Sequence, residues 1–182
     1  GGGKREGSTG QDCGVVGPQR YLTSAQTDLE DTFSCLATVG TGGSGDEQTI
    51  RAATQGVGDL TQMGACNEGF IRNDAILVVT FMTDEDDGNG SPYGGSGSPG
   101  NPADWKQALV DAKLGNEAAI VVVGLMGDTP GVPCANGNAD PAPRLGEFVN
   151  LFGDQGLIGS VCADDFKPTF DEAVALIDNA CD

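Results

Sequence analysis

The chain contains no histidine. That absence removes Ser-His-Asp triads, Cys-His nucleophiles, imidazole general bases and histidine-ligated zinc from the available chemistry. Cations are scarce as well: nine Lys and Arg stand against 27 Asp and Glu, for a formal net charge of -18 and a pI near 4.1. This balance argues against nucleic acid or anionic membrane as a partner and makes cations the natural partners. No apolar run approaches the roughly 20 residues of a membrane span, and no signal-peptide pattern is present, so an exported form would be a mature or truncated one. C-x-x-C pairs are also missing. The six cysteines, Cys13, Cys35, Cys66, Cys134, Cys162 and Cys181, lie far apart, which disfavours a tetrahedral thiolate site. They read as structural staples of an oxidising compartment, up to three disulfides whose pairing spacing alone does not choose.

At 182 residues the chain fits one domain with one core. Residues 1 to 11, "GGGKREGSTGQ", lack apolar side chains and read as a flexible end, leaving 12 to 182 as the domain. A short helical pattern carries Leu29, Phe33 and Leu36, and a second, after the loop "GTGGSGDEQ", carries Ile50, Ala53, Val57 and Leu60 with Asp46 as its cap. Three apolar runs follow, at 75–83, 118–127 and 156–162. The first has no polar alternation and so predicts a strand covered on both faces. Helical patterns at 102–114, 143–152 and 165–180 separate and follow them, the last capped by Asp164 or Asp165. This alternation predicts an α/β fold, a doubly wound and mostly parallel sheet flanked by helices. Two Gly/Pro/Ser/Asn-rich loops, 88–104 and 127–143, leave the carboxyl ends of strands, where such sheets place ligand sites. Cys134 and Cys162 both fall near that edge, which makes them a reasonable pair.

The first strand runs directly into Asp84, Glu85, Asp86 and Asp87. One reading is a solvated acidic turn that also caps a helix. A second is an EF-hand-like calcium loop, with Glu85, Asp87, Asn89 and Gly90 at the first ligand and turn positions but Ser96 where a bidentate Glu belongs. A third is a hard-cation site at a strand end, where Asp84 meets hydroxyl residues from neighbouring loops. Elsewhere "GTGGSG" lacks the lysine of a phosphate loop and precedes Asp46 and Glu47, which would repel phosphate. Trp105 and Tyr93 read as a helix-packing residue and a loop residue.

The ordered set "FSCLATVGTGGSGDEQTIRAA", "CNEGFIRNDAILVVTFMTDEDD" and "LGEFVNLFGDQGLIGSVCADDF" resembles von Willebrand factor type A domains of secreted or surface bacterial proteins, over about residues 13 to 181. The resemblance implies a metal-ion-dependent adhesion site at the carboxyl edge of a Rossmann-like sheet, holding Mg²⁺ or Ca²⁺. Asp84 matches the family's third-loop aspartate, and Thr41 or Ser44 of the glycine-rich loop matches the hydroxyl ligand. Glu85, Asp86 and Asp87 then act around the site electrostatically. The family's D-x-S-x-S loop and hydrophobic first strand have no counterpart here, so the fold is expected to be incomplete at the N-terminus. Those elements would come from an N-terminal fragment of the same domain or a companion chain. The function so implied is a non-enzymatic, cation-dependent adhesion module, secreted, periplasmic or on the cell surface, that recognises a protein or surface glycan. The alternatives are an extracellular scaffold component with a degenerate metal site and a hydrolase using Asp84 and Asp86 for two metal ions.

Overall fold

The computed structural model describes residues 5–40, 42–88, 97–127, 134 and 139–181. In place of a single core the chain forms two compact units. One comprises Gly1–Ser44 and Gln55–Arg72, the other Gly45–Thr54 and Asn73–Asp182. The elements run α1 (Leu29–Ala37), α2 (Thr49–Val57), β1 (Leu77–Met82), α3 (Pro102–Ala112), β2 (Ile120–Met126), α4 (Pro143–Asn150), β3 (Gly156–Ser160) and α5 (Lys167–Cys181), with α2 crossing the boundary between units.

The second unit is mixed α/β. Its three strands are parallel in the order β1-β2-β3, with Leu77 opposite Ile120 and Val122 opposite Gly156. Every residue of β2 is buried, as expected for a central parallel strand covered on both faces. Val121, Val123 and Leu125 join Leu157 and Ala173, with Ile177 and Leu176 of α5 packed on the cluster. Strand alternation leaves Ile120, Val122 and Met126 for the other face, and α4 packs against β2 and β3 through the fully buried Leu145, Phe148 and Val149. Trp105 of α3 meets Phe148 edge-on at 6.0 Å, so it is the packing residue its helical spacing predicts.

β1 departs from the expectation of a strand covered on both faces. Leu77, Val79 and Phe81 are buried, but Val78, Thr80 and Met82 are exposed. The cause is position: β1 lies at one side of the sheet of described strands, whereas α5 packs over the matching face of β2 and onto Leu157 of β3. An apolar run does not distinguish a central strand from an edge strand whose second face is also apolar.

Local signals fix α3. Pro102 stands at its first position, the Asn101 side chain accepts from the Ala103 and Asp104 N–H groups, and Asp104 returns a bond to the Asn101 N–H. Asn101→Ala is expected to cost about 1 kcal/mol, read as a lower urea midpoint at unchanged m-value. The α5 N-terminus is held by Asp165, which accepts from the Lys167 N–H at 2.9 Å.

The first unit inverts one expectation. α1 forms, but Leu29 and Phe33 are 55% and 62% exposed, while Thr32 is the buried residue. A polar network selects that face: Gln26 donates to the Thr32 hydroxyl (2.9 Å), Asp28 and the Gly14 carbonyl, and accepts from the Val16 N–H. Residues 5–11 are likewise tied down. The Arg5 guanidinium donates to the carbonyls of Val15, Gly17 and Gln19, and Glu6 pairs with Asp12 in an antiparallel bridge.

Each unit holds one disulfide: Cys13–Cys35 in the first and Cys134–Cys162, the pair suggested by position, in the second. Cys66 and Cys181 are free and exposed. No helix among the described residues is long and apolar enough to cross a membrane.

Candidate functional site at the carboxyl end of β1

The acidic run divides into two kinds of carboxylate. Asp87 is fully buried. Its carboxylate accepts from the Ile50 N–H (2.7 Å), the Ser98 N–H (2.6 Å) and the Ser98 hydroxyl (2.7 Å), and the same hydroxyl accepts from the Arg51 N–H (2.7 Å). Asp87 and Ser98 therefore cap α2 together, a role assigned from sequence to Asp46. Asp46 instead accepts from the Gly97 N–H and from Gln48. Gly97 makes the closure possible: at φ +66° it lies so near the chain at Asp87 and Gly88 that a Cβ would fall 2.5 Å from Gly88 Cα.

Asp86 does the same for a different helix. The residue is 9% exposed, and its carboxylate accepts from the Arg144 and Leu145 N–H groups at 3.1 Å and from the Asp87 N–H at 3.0 Å. Ala142, the residue at the N-cap of α4, has no oxygen on its side chain, so Asp86 supplies the cap from across the fold. Arg144 closes the arrangement, donating to the Asp87 and Gly100 carbonyls while its guanidinium stacks 4.7 Å from the Trp105 ring centre. Asp86 and Asp87 are thus helix caps, buried where the capping-turn reading expected a solvated face. The calcium-loop reading would need the Asp87 carboxylate that α2 occupies; its Asn89, Gly90 and Ser96 lie outside the described residues, as does Tyr93.

Asp84 is placed differently. Thr83 extends the ladder by donating to the Leu125 carbonyl at 3.0 Å, which sets Asp84 just past the end of β1 with its side chain exposed. Its carbonyl accepts from the Asp140 N–H at 2.7 Å, so the loop after β2 is anchored here and carries a further exposed carboxylate, Asp140, to the same edge. Glu47, in the segment leading into α2, joins the group electrostatically. Partial burial pushes its carboxyl above the ordinary value of 4.5, and the charges of Glu85, Asp84, Asp46 and Asp87 push in the same direction. Sequence reasoning missed Glu47 and Asp140 as neighbours of Asp84. The pairing of two strand-end loops could have signalled Asp140; Glu47 comes from the segment between α1 and α2.

Among the described residues, no group of three or more carboxylates and thiols converges closely enough to hold a metal ion. Thr41 lies outside the described residues. Ser44 belongs to the first unit and Asp84 to the second. The first unit also holds a cleft of about 540 Å³ lined by Tyr21, Leu22, Leu29, Phe70 and Arg72 among others. Its lining contains no carboxylate.

The raised Glu47 carboxyl has a direct pH consequence. Protonation favours the folded state, so this group's contribution is complete below 4.5 and is lost as pH rises through its higher folded value. Glu47→Gln is expected to raise the urea midpoint at neutral pH and to leave it unchanged well below that range.

Compared with protein-family models, curated proteins and solved structures, the chain matches none.

Proposed function

We propose that the chain is a non-enzymatic binding module of von Willebrand factor A type, exported and disulfide-stabilised, which engages a protein or surface glycan through a divalent cation held at Asp84. The observation that carries this reading is the partition of the acidic run. Asp86 and Asp87 are consumed by helix caps, whereas Asp84 stays exposed at the carboxyl edge of a parallel sheet with Glu47, Glu85 and Asp140 around it. Mutually repelling carboxylates raise the local concentration of cations, and Mg²⁺ or Ca²⁺ takes oxygen ligands of this kind. In this reading Asp84 would be a ligand and the neighbouring carboxylates would supply the field. The rest of the shell would come from the bound partner's own carboxylate. Two disulfides suit an oxidising, extracellular or periplasmic setting.

A carboxylate-based two-metal hydrolase is the weaker reading, because Asp86, one of its two proposed ligands, is buried and spends its oxygens on α4. Calorimetric titration with Ca²⁺ and Mg²⁺ tests the proposal, alongside turnover assays on aryl phosphates and aryl glycosides. Saturable cation binding without turnover supports a binding module. Turnover that depends on the cation would replace it with the hydrolase.

A further inference from the structure

We propose that the outer edge of β1 accepts an extended strand from another polypeptide, one with apolar side chains at alternate positions and lysine or arginine at its ends. Among the described residues β1 pairs only with β2, and none of them forms a ladder with its other side. The face beside that edge is open too. Val78 and Met82 are 37% and 51% exposed, whereas their ladder partners Val121 and Leu125 are fully buried beneath α5. α5 itself leaves Phe170 and Val174 exposed, 41% and 56%, one turn apart. Strand edges that must stay unpaired carry charges, prolines or bulges. Residues 75–83 contain no charged residue and no proline, so this edge lacks the features that block pairing.

Charge decides what kind of strand fits. β1 is flanked by Asp74 before it and by Asp84 and Glu85 after it. A second copy pairing about a two-fold axis would run antiparallel and set Asp84 and Glu85 of one chain near Asp74 of the other, against a net charge of -18 on each. A strand ending in basic residues meets the same carboxylates favourably. Main-chain ladder bonds would supply affinity, and Val78, Thr80 and Met82 would select side chains at alternate positions.

The probe is a fluorescein-labelled peptide of alternating valine and threonine, flanked at each end by two lysines. It is titrated against the full chain in EDTA, so that the result is independent of cation binding. The expected result is saturable one-to-one binding with slowed amide exchange across residues 77–82. It should weaken at least tenfold, about 1.4 kcal/mol, in a Val78→Lys, Met82→Lys variant, whose substituted positions are exposed in the free chain. Non-saturable binding, equal binding by that variant, or equal binding of a peptide of the same composition in scrambled order would overturn the proposal. Concentration-dependent protection of residues 77–82 without peptide would also overturn it, by assigning the edge to a second copy.

Discussion

Asp87→Ala is expected to destabilise the α/β unit by about 3 kcal/mol, the largest loss expected from any single carboxylate of the acidic run. The substitution removes the acceptor for three donors at once: the Ile50 N–H, the Ser98 N–H and the Ser98 hydroxyl. Two of these are backbone groups, and Ile50 and Asp87 are both fully buried, so water does not simply replace the lost acceptor. The Ser98 hydroxyl, which caps Arg51, also loses its anchor. Urea unfolding followed by tryptophan fluorescence measures the loss, since Trp105 lies in the same unit. Asp84→Ala provides the internal control. It removes an exposed carboxylate that accepts no hydrogen bond among the described residues, and its cost is expected to stay within about 0.5 kcal/mol.

For cation binding the order reverses. Asp84→Asn is expected to lower affinity for Ca²⁺ or Mg²⁺ at least about tenfold while leaving the unfolding midpoint of the cation-free chain unchanged. The amide keeps the size and one oxygen of the side chain but loses the charge on which hard-cation binding depends. Glu47 reports on the same event from its own position. Burial raises the Glu47 carboxyl and the neighbouring carboxylates add to it; a cation near Asp84 and Glu85 offsets that second part, so binding should release protons at pH values within its titration range. Calorimetry in buffers of different ionisation enthalpy detects that release.

Legibility in the sequence followed the range of the interaction. The α3 cap is local, Asn101 to Asp104, with Pro102 at the first helical position. All three strands and the helices between them appeared at their expected places, because apolar periodicity is a property of contiguous residues. The caps of α2 and α4 were invisible. Ile50 receives its acceptor from 37 residues away and Leu145 from 59, and no local pattern encodes such pairs. The acidic run therefore read as a single unit when its members serve different masters. α1 shows a further limit, since a buried Gln26–Thr32 hydrogen bond turned Leu29 and Phe33 outward against their apolar spacing. The Cys134–Cys162 pair could be anticipated because both residues follow strands at the same sheet edge.

The division of the acidic run into caps and a cation-facing aspartate is tested most directly by thermal unfolding of the wild-type chain, Asp84→Ala and Asp87→Ala, each with and without millimolar Ca²⁺. The expected result is a wild-type midpoint that Ca²⁺ raises, an Asp84→Ala midpoint equal to wild type without Ca²⁺ and unmoved by it, and an Asp87→Ala midpoint that is markedly lower in both conditions. An Asp84→Ala chain as unstable as Asp87→Ala, or one still stabilised by Ca²⁺ to the wild-type extent, would contradict the account.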